Sequence, residues 1–174
     1  MRKILSQGEL DGACFLYSIA NAAAILTEKS MRKKWKPFIN TLPFKTDQFL
    51  NGDGTKSLND NQHLFETIAN EFFKTSKIDA TCESKIIKTH KELREEITGT
   101  SIAIACINDG EHWLTICEVD SKYAYTACSS ALIDSPSNYL EKPSEKLKRI
   151  YNRQISLANI KAYRDYYLII NINQ

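Results

Sequence analysis

Cys14 stands in the segment Gln7-Gly8-Glu9-Leu10-Asp11-Gly12-Ala13-Cys14-Phe15-Leu16-Tyr17, and His112-Trp113 opens an apolar run about a hundred residues later. A thiol and an imidazole can work as nucleophile and base: the ring takes the thiol proton and the sulfur attacks an electrophilic carbon. The segment around Cys14 is expected to begin a helix. A helix start suits a thiolate, because unpaired backbone N–H groups and the positive end of the macrodipole favour a nearby anion. Cys14 and His112 are the candidate nucleophile and base.

The elements that must position them follow from periodicity. Asp11 is a good N-cap, and Phe15, Leu16, Ile19, Ala20, Ala23 and Leu26 recur at helical spacing, which predicts a buried helix over 12–28. A second helix is expected after Ser30, stopping before Pro43, followed by a loop over 44–57 with the turn signal Asn51-Gly52-Asp53-Gly54. A third helix is expected over 58–73, with Leu64, Phe65, Ile68, Ala69, Phe72 and Phe73 inward. A short strand over 77–82 and a helix over 86–97, ended by Gly99, come next.

The period then changes. Residues 101–107 and 112–119 are apolar, β-branched-rich runs joined by Asn108-Asp109-Gly110-Glu111, and a strand over 123–126 follows the turn Asp120-Ser121-Lys122. A short helix near 157–160 and a last strand over 166–172 close the chain. Residues 129–145, punctuated by Asp134-Ser135-Pro136 and Pro143, are expected to be the least structured part. Helices first and strands later indicate an α+β fold, N-terminal helices packed on a C-terminal antiparallel sheet.

The 174 residues are 43% hydrophobic and 25% charged, with a formal net charge of +2. That length suits one domain, 1–174, with a core of its own, and the small charge points to no nucleic-acid partner. The basic stretch Arg32-Lys33-Lys34-Trp35-Lys36 reads as a solvated helix face. The start of the chain lacks the apolar region of an export signal, and the run from Ala20 to Leu26 is too short to span a bilayer, so no membrane is expected. The five cysteines are odd in number and widely spaced, which fits a reducing, cytoplasmic setting.

A glutamine, a cysteine at the start of the first long helix, and a histidine followed by an aromatic residue at the start of a central strand resemble the papain-like cysteine peptidases. The likeness is closest to their small bacterial branch, which includes the double-glycine leader peptidases, and it covers 7–24 and 101–130. It implies Cys14 as nucleophile, His112 as general base and later acid, and Gln7 as the side-chain donor of an oxyanion hole completed by the Cys14 backbone N–H. A peptide or protein substrate is implied, without a cofactor. Gln7 lies slightly farther from Cys14 than the pattern has it, and Gly8 and Gly12 supply backbone freedom for the extra residue.

In that family an Asp or Asn on the next strand orients the imidazole through its other nitrogen. Here that place reads Cys128-Ser129-Ser130, and a hairpin turning at Ser121-Lys122 puts residues near 129–131 opposite His112. Glu118 and Asp120 are excluded, since a rise of about 3.3 Å per residue carries them roughly 20 Å or more away. Three arrangements stay open: a Cys-His dyad, a hydroxyl from Ser129 or Ser130, or Asp134 folding back from its loop.

His63 and His90 read as surface or capping residues, and Cys106 and Cys117 as small core residues. Cys106, His112 and Cys117 match no zinc spacing, so no metal is expected. The leading expectation is a thiol hydrolase acting on a peptide or amide bond through an acyl-thioenzyme. A side-chain deamidase or transglutaminase-like enzyme shares that intermediate. A catalytically degenerate module, binding peptide in a groove lined by Trp113, Phe15 and Tyr17, is the alternative from another class. Oligomeric state is not legible.

Overall fold

Strands that are apolar at every position need a packed layer on both faces of their sheet, and the second half of this chain is built that way. The structure is a computed structural model describing residues 3–7, 13–34, 38, 62–108 and 110–173. Its strands are β1 (Ala80–Ile86), β2 (Ser101–Ile107), β3 (His112–Val119), β4 (Tyr123–Ala127), β5 (Lys142–Pro143), β6 (Ile150–Tyr151), β7 (Arg153–Ser156) and β8 (Tyr166–Ile172). Six of them form one sheet in the order β1-β8-β2-β3-β4-β7, and β5 pairs with β6 separately. Every pairing is antiparallel.

The α-helices described in full are α1 (Cys14–Thr27), α2 (Gln62–Ser76), α3 (His90–Glu96) and the short α4 (Ala131–Asp134). Ile102, Ile104 and Cys106 of β2 share one core with Phe15 and Ile19 of α1 and with Phe65, Ile68 and Phe72 of α2. The alternate residues Ala103, Ala105 and Ile107 join a second core with Leu93 of α3, Leu157 and Ile160. The two-residue period of the strand therefore feeds both layers. N-terminal helices on a C-terminal antiparallel sheet are the α+β architecture that the pattern predicts.

The outer edge of β1 is closed by α2. Asn70 accepts from the Cys82 N–H (2.8 Å) and donates to its carbonyl (2.9 Å), while Glu66 accepts from the Ser84 N–H (3.0 Å) and hydroxyl (2.7 Å). Side chains thus occupy ladder positions that an edge strand otherwise offers to another chain.

Several boundaries differ from expectation for local reasons. The expected strand over 77–82 begins only at Ala80, because Lys77 takes a left-handed φ of 55° at the end of α2. The helix expected over 86–97 begins at His90: Ile86 remains paired with Tyr166, and Thr89 forms a capping box with Glu92. Gly99 is not its cap, since the chain turns extended at Ile97. Residues 129–145 hold α4, a 3-10 turn over Pro136–Asn138 and β5, and β6 and β7 were not foreseen. The predicted helix between Ser30 and Pro43 is represented only by a turn over 32–34 and by helical Phe38. Its remainder, the loop over 44–57 and residues 58–61 lie outside the described residues.

Candidate active site

Cys14 is the first residue of α1, and its N-cap is Ala13, which makes no side-chain cap bond. The expected cap, Asp11, lies outside the described residues. α1 is held by polar bonds to the N-terminal segment and to β3, and by an aromatic cluster. Asn21, fully buried, accepts from the Leu5 N–H (2.7 Å) and donates to its carbonyl (3.1 Å). Thr115 of β3 donates to the Ser18 carbonyl (2.8 Å), and the Ser18 hydroxyl donates to the Cys14 carbonyl (2.8 Å). The Phe15 ring packs between Phe65 and Trp113, each at a centroid distance of 4.7 Å. These contacts bring the Cys14 sulfur to the start of β3, where it accepts the backbone N–H of Trp113 at 3.5 Å.

His112 begins β3 immediately after the turn from β2. Gly110 takes a φ of 96° in that turn, a conformation that costs glycine nothing. The His112 ring is half-buried and meets two thiols: Nε2 lies 3.1 Å from Cys128 Sγ, and the ring also couples to Cys14. Burial opposes the charged ring, but the contacts with Cys128 and Cys14 outweigh it and push His112 up to about 10. Burial likewise opposes ionisation of Cys128, yet the bond and charge of His112, with help from Ser130, hold that thiol at about 7. Three other buried thiols behave differently: burial pushes Cys106 and Cys117 up to about 12 and Cys82 higher still.

Cys128 follows the last residue of β4, and Asn152 grips it from both sides, accepting from its N–H (2.8 Å) and donating to its carbonyl (2.8 Å). Its sulfur lies 3.3 Å from the Ser130 hydroxyl and 3.9 Å from Arg153 Nη1. Ser130 donates to Asp134 Oδ2 (2.9 Å), which Arg153 approaches at 3.5 Å.

The contacts around the ring bear on the three open arrangements. Neither Ser130 nor Asp134 is the group at Nε2: Ser130 is one contact removed from the ring, beyond Cys128, and Asp134 is two. Ser129 turns elsewhere, its hydroxyl donating to Gln7 Oε1 (2.6 Å) while the Gln7 N–H donates to the Ser129 carbonyl (3.1 Å). Gln7 is thereby drawn to the same end of the sheet as Cys14, His112 and Cys128. Sequence reasoning singles out the tripeptide Cys128-Ser129-Ser130 but does not weigh its thiol, which is the side chain that meets the imidazole.

The proposed groove needs correction. Trp113 and Phe15 are 1% and 0% exposed and stack with Phe65 in the interior, so they hold α1 on the sheet rather than line a groove. Tyr17 is half-buried against the same core. Glu118 is far from the ring, bound by Ser144 and by the backbone of residues 146 and 147. Asp120 caps the β3–β4 turn by accepting from the N–H groups of Lys122 and Tyr123. His63 and His90 lie on exposed helix surfaces. Among the described residues, no group of three or more His, Cys, Asp or Glu side chains is placed to hold a metal ion.

A cysteine at the head of the first helix, facing a histidine at the start of a central strand of an antiparallel sheet, defines a papain-like fold. Among solved structures the chain is similar to a double-glycine motif protease from an AMS/PCAT transporter, crystallised in complex with the leader peptide. The two are 16% identical, the match covers 99% of this chain and 91% of that one, and the TM-score is 0.55. No protein-family model and no curated protein matches the sequence. No helix among the described residues is long and apolar enough to cross a membrane.

Proposed function

We propose that this protein is a thiol-dependent hydrolase that cleaves a peptide or amide bond, with Cys14 as nucleophile and His112 as base. The observation that carries the reading is the convergence of the Cys14 sulfur and the His112 ring, from opposite halves of the chain, on the first residues of β3. His112 takes the thiol proton as the Cys14 sulfur bonds to the carbonyl carbon, and it returns that proton to the leaving amine as the C–N bond breaks. In the second half-reaction water adds to the acyl carbon, its proton passes through His112, and the C–S bond breaks to restore the thiol. The Gln7 amide and the Cys14 N–H are the proposed donors to the oxyanion.

A peptide is the proposed substrate class; the similar protease was crystallised with a leader peptide. Because all five cysteines are unpaired, a reducing, cytoplasmic setting suits the reading.

Treatment with an E-64-type epoxide followed by mass spectrometry is expected to modify Cys14 in preference to the other four thiols. Cys14→Ala is expected to lower amide hydrolysis by about 10⁴-fold or more while leaving the urea midpoint nearly unchanged. Uniform labelling, or full activity in Cys14→Ala, overturns the reading. Ammonia release from protein substrates without backbone cleavage assigns the same acyl-thioenzyme to a side-chain deamidase.

A further inference from the structure

Cys128 is fully buried, yet its sulfur is not packed as a core methyl group would be. It has three polar neighbours: His112 Nε2 at 3.1 Å, Ser130 Oγ at 3.3 Å and Arg153 Nη1 at 3.9 Å. Its backbone is held at both N–H and carbonyl by Asn152, so the sulfur has little freedom to leave the ring. Cys117, equally buried, shows the contrast: it contacts backbone carbonyls of Thr115 and Ile150 and is not coupled to a histidine. Arg153 donates to this sulfur, and His112 Nε2 and the Ser130 hydroxyl can each do so; a sulfur that accepts from Nε2 fixes both the tautomer and the plane of the imidazole.

We propose that Cys128 is the positioning residue of the site, its sulfur holding Nε2 of His112 so that Nδ1 is the nitrogen presented to Cys14. The proposal rests on the hydrolase reading and replaces the carboxylate or amide of the resembling peptidases by a thiol. As a thiolate, Cys128 supplies the negative charge that stabilises the imidazolium formed when Cys14 loses its proton. Ser130 has a single hydroxyl proton, which it gives either to Asp134 or to the sulfur. When Cys128 ionises, that proton turns to the sulfur, and Asp134 keeps Arg153 as its counter-ion. Among the described residues, the charged and titratable groups around the ring are then Cys14, Cys106, Cys128, Asp134 and Arg153.

Two measurements on the full chain test this. The first is a ¹⁵N NMR titration of the His112 imidazole, assigned by its loss in His112→Asn. The second is the pH–rate profile of iodoacetamide alkylation at Cys14, followed by mass spectrometry. In Cys128→Ala the imidazole is expected to titrate at lower pH than in the wild type, since burial then opposes its charge with Cys14 alone favouring it. Alkylation of Cys14 near pH 7 is expected to slow by about tenfold for each pKa unit of coupling lost. Cys117→Ala, a buried-thiol control, is expected to change neither, and Cys128→Asp is expected to restore a protonated ring. Should Cys128→Ala unfold, Cys128→Ser carries the same comparison, its hydroxyl keeping the volume without ionising. A His112 titration and a Cys14 profile unchanged in folded Cys128→Ala or Cys128→Ser overturn the proposal. If His112 responds to Cys128 but wild-type Cys14 is inert to iodoacetamide, the pairing stands and the hydrolase reading falls.

Discussion

The two ends of β3 carry two buried polar clusters that meet burial in opposite ways. At the far end, Glu118 accepts from the Ser144 hydroxyl (2.7 Å) and from the N–H groups of Lys146 (3.1 Å) and Leu147 (2.7 Å). Arg149, beside it, donates to the carbonyls of Ser101, Cys117, Thr98 and Gly99 at 2.5–3.0 Å. At the near end, His112 is bonded to Cys128 and coupled to Cys14. Fixed backbone dipoles surround the first cluster, so its charges are permanent: burial favours neutral Glu118, but those bonds hold its carboxyl below the usual range. The second cluster is built of groups that can themselves titrate: contact with the thiols pushes His112 up to about 10, and contact with His112 holds Cys128 at about 7. Burial alone does not make a reactive site; partners that can themselves titrate do.

Removing Arg149 tests the structural side of that contrast with the largest effect. Arg149→Leu leaves four carbonyls without their donor and is expected to cost about 3 kcal/mol or more in urea denaturation, without altering Cys14 alkylation in the folded fraction. On the reactive side, Gln7→Ala is expected to lower kcat/KM for amide hydrolysis by about 10²-fold, with little change in the urea midpoint. An equal loss of stability and activity would mean that Gln7 serves mainly to tie the N-terminal segment to Ser129.

The pH dependence separates the clusters further. Glu118 has a depressed folded pKa, so its stabilisation is present above the ordinary carboxylate pKa of about 4.3 and is lost as pH falls through the folded value. Glu118→Gln is expected to flatten that acid limb of stability, by roughly 1 kcal/mol. His112 has a raised pKa, so its contribution is full below about 6.5 and is lost as pH rises through about 10. The alkaline limb of stability should therefore be unaffected in Glu118→Gln. The smallest effect is expected for Asp134→Asn: Asp134 and Arg153 are 50% and 45% exposed, and such pairs contribute little. Cys14 alkylation should change by no more than about twofold, which marks the outer limit of the reactive cluster.

Much of this was legible because the governing signals are local. β2, β3 and β8 begin and end where their apolar runs do, and the inward face of α2 carries the residues that helical spacing picks out. β1 and α3 were misjudged at their starts because a left-handed Lys77 and a Thr89 capping box override propensity over a few residues. β6, two residues long, is too short to announce itself, and β7 is too polar. β6 exists because it pairs with β5, and β7 because the chain at Asn152 and Arg153 pairs back onto β4 and Cys128.

The order of residues by itself determined that a cysteine would head the first helix and a histidine would open an apolar strand, since hydrophobic periodicity acts over a few residues. Which atom meets Nε2 was decided only by the tertiary fold. A bulge between Ile116 and Glu118 shifts the β3–β4 register by one residue. The ladder ends at Ala127 opposite Thr115, and the chain leaves it with Cys128 under the ring. Such a shift moves side chains between faces while leaving no mark on the hydrophobic pattern that a sequence displays.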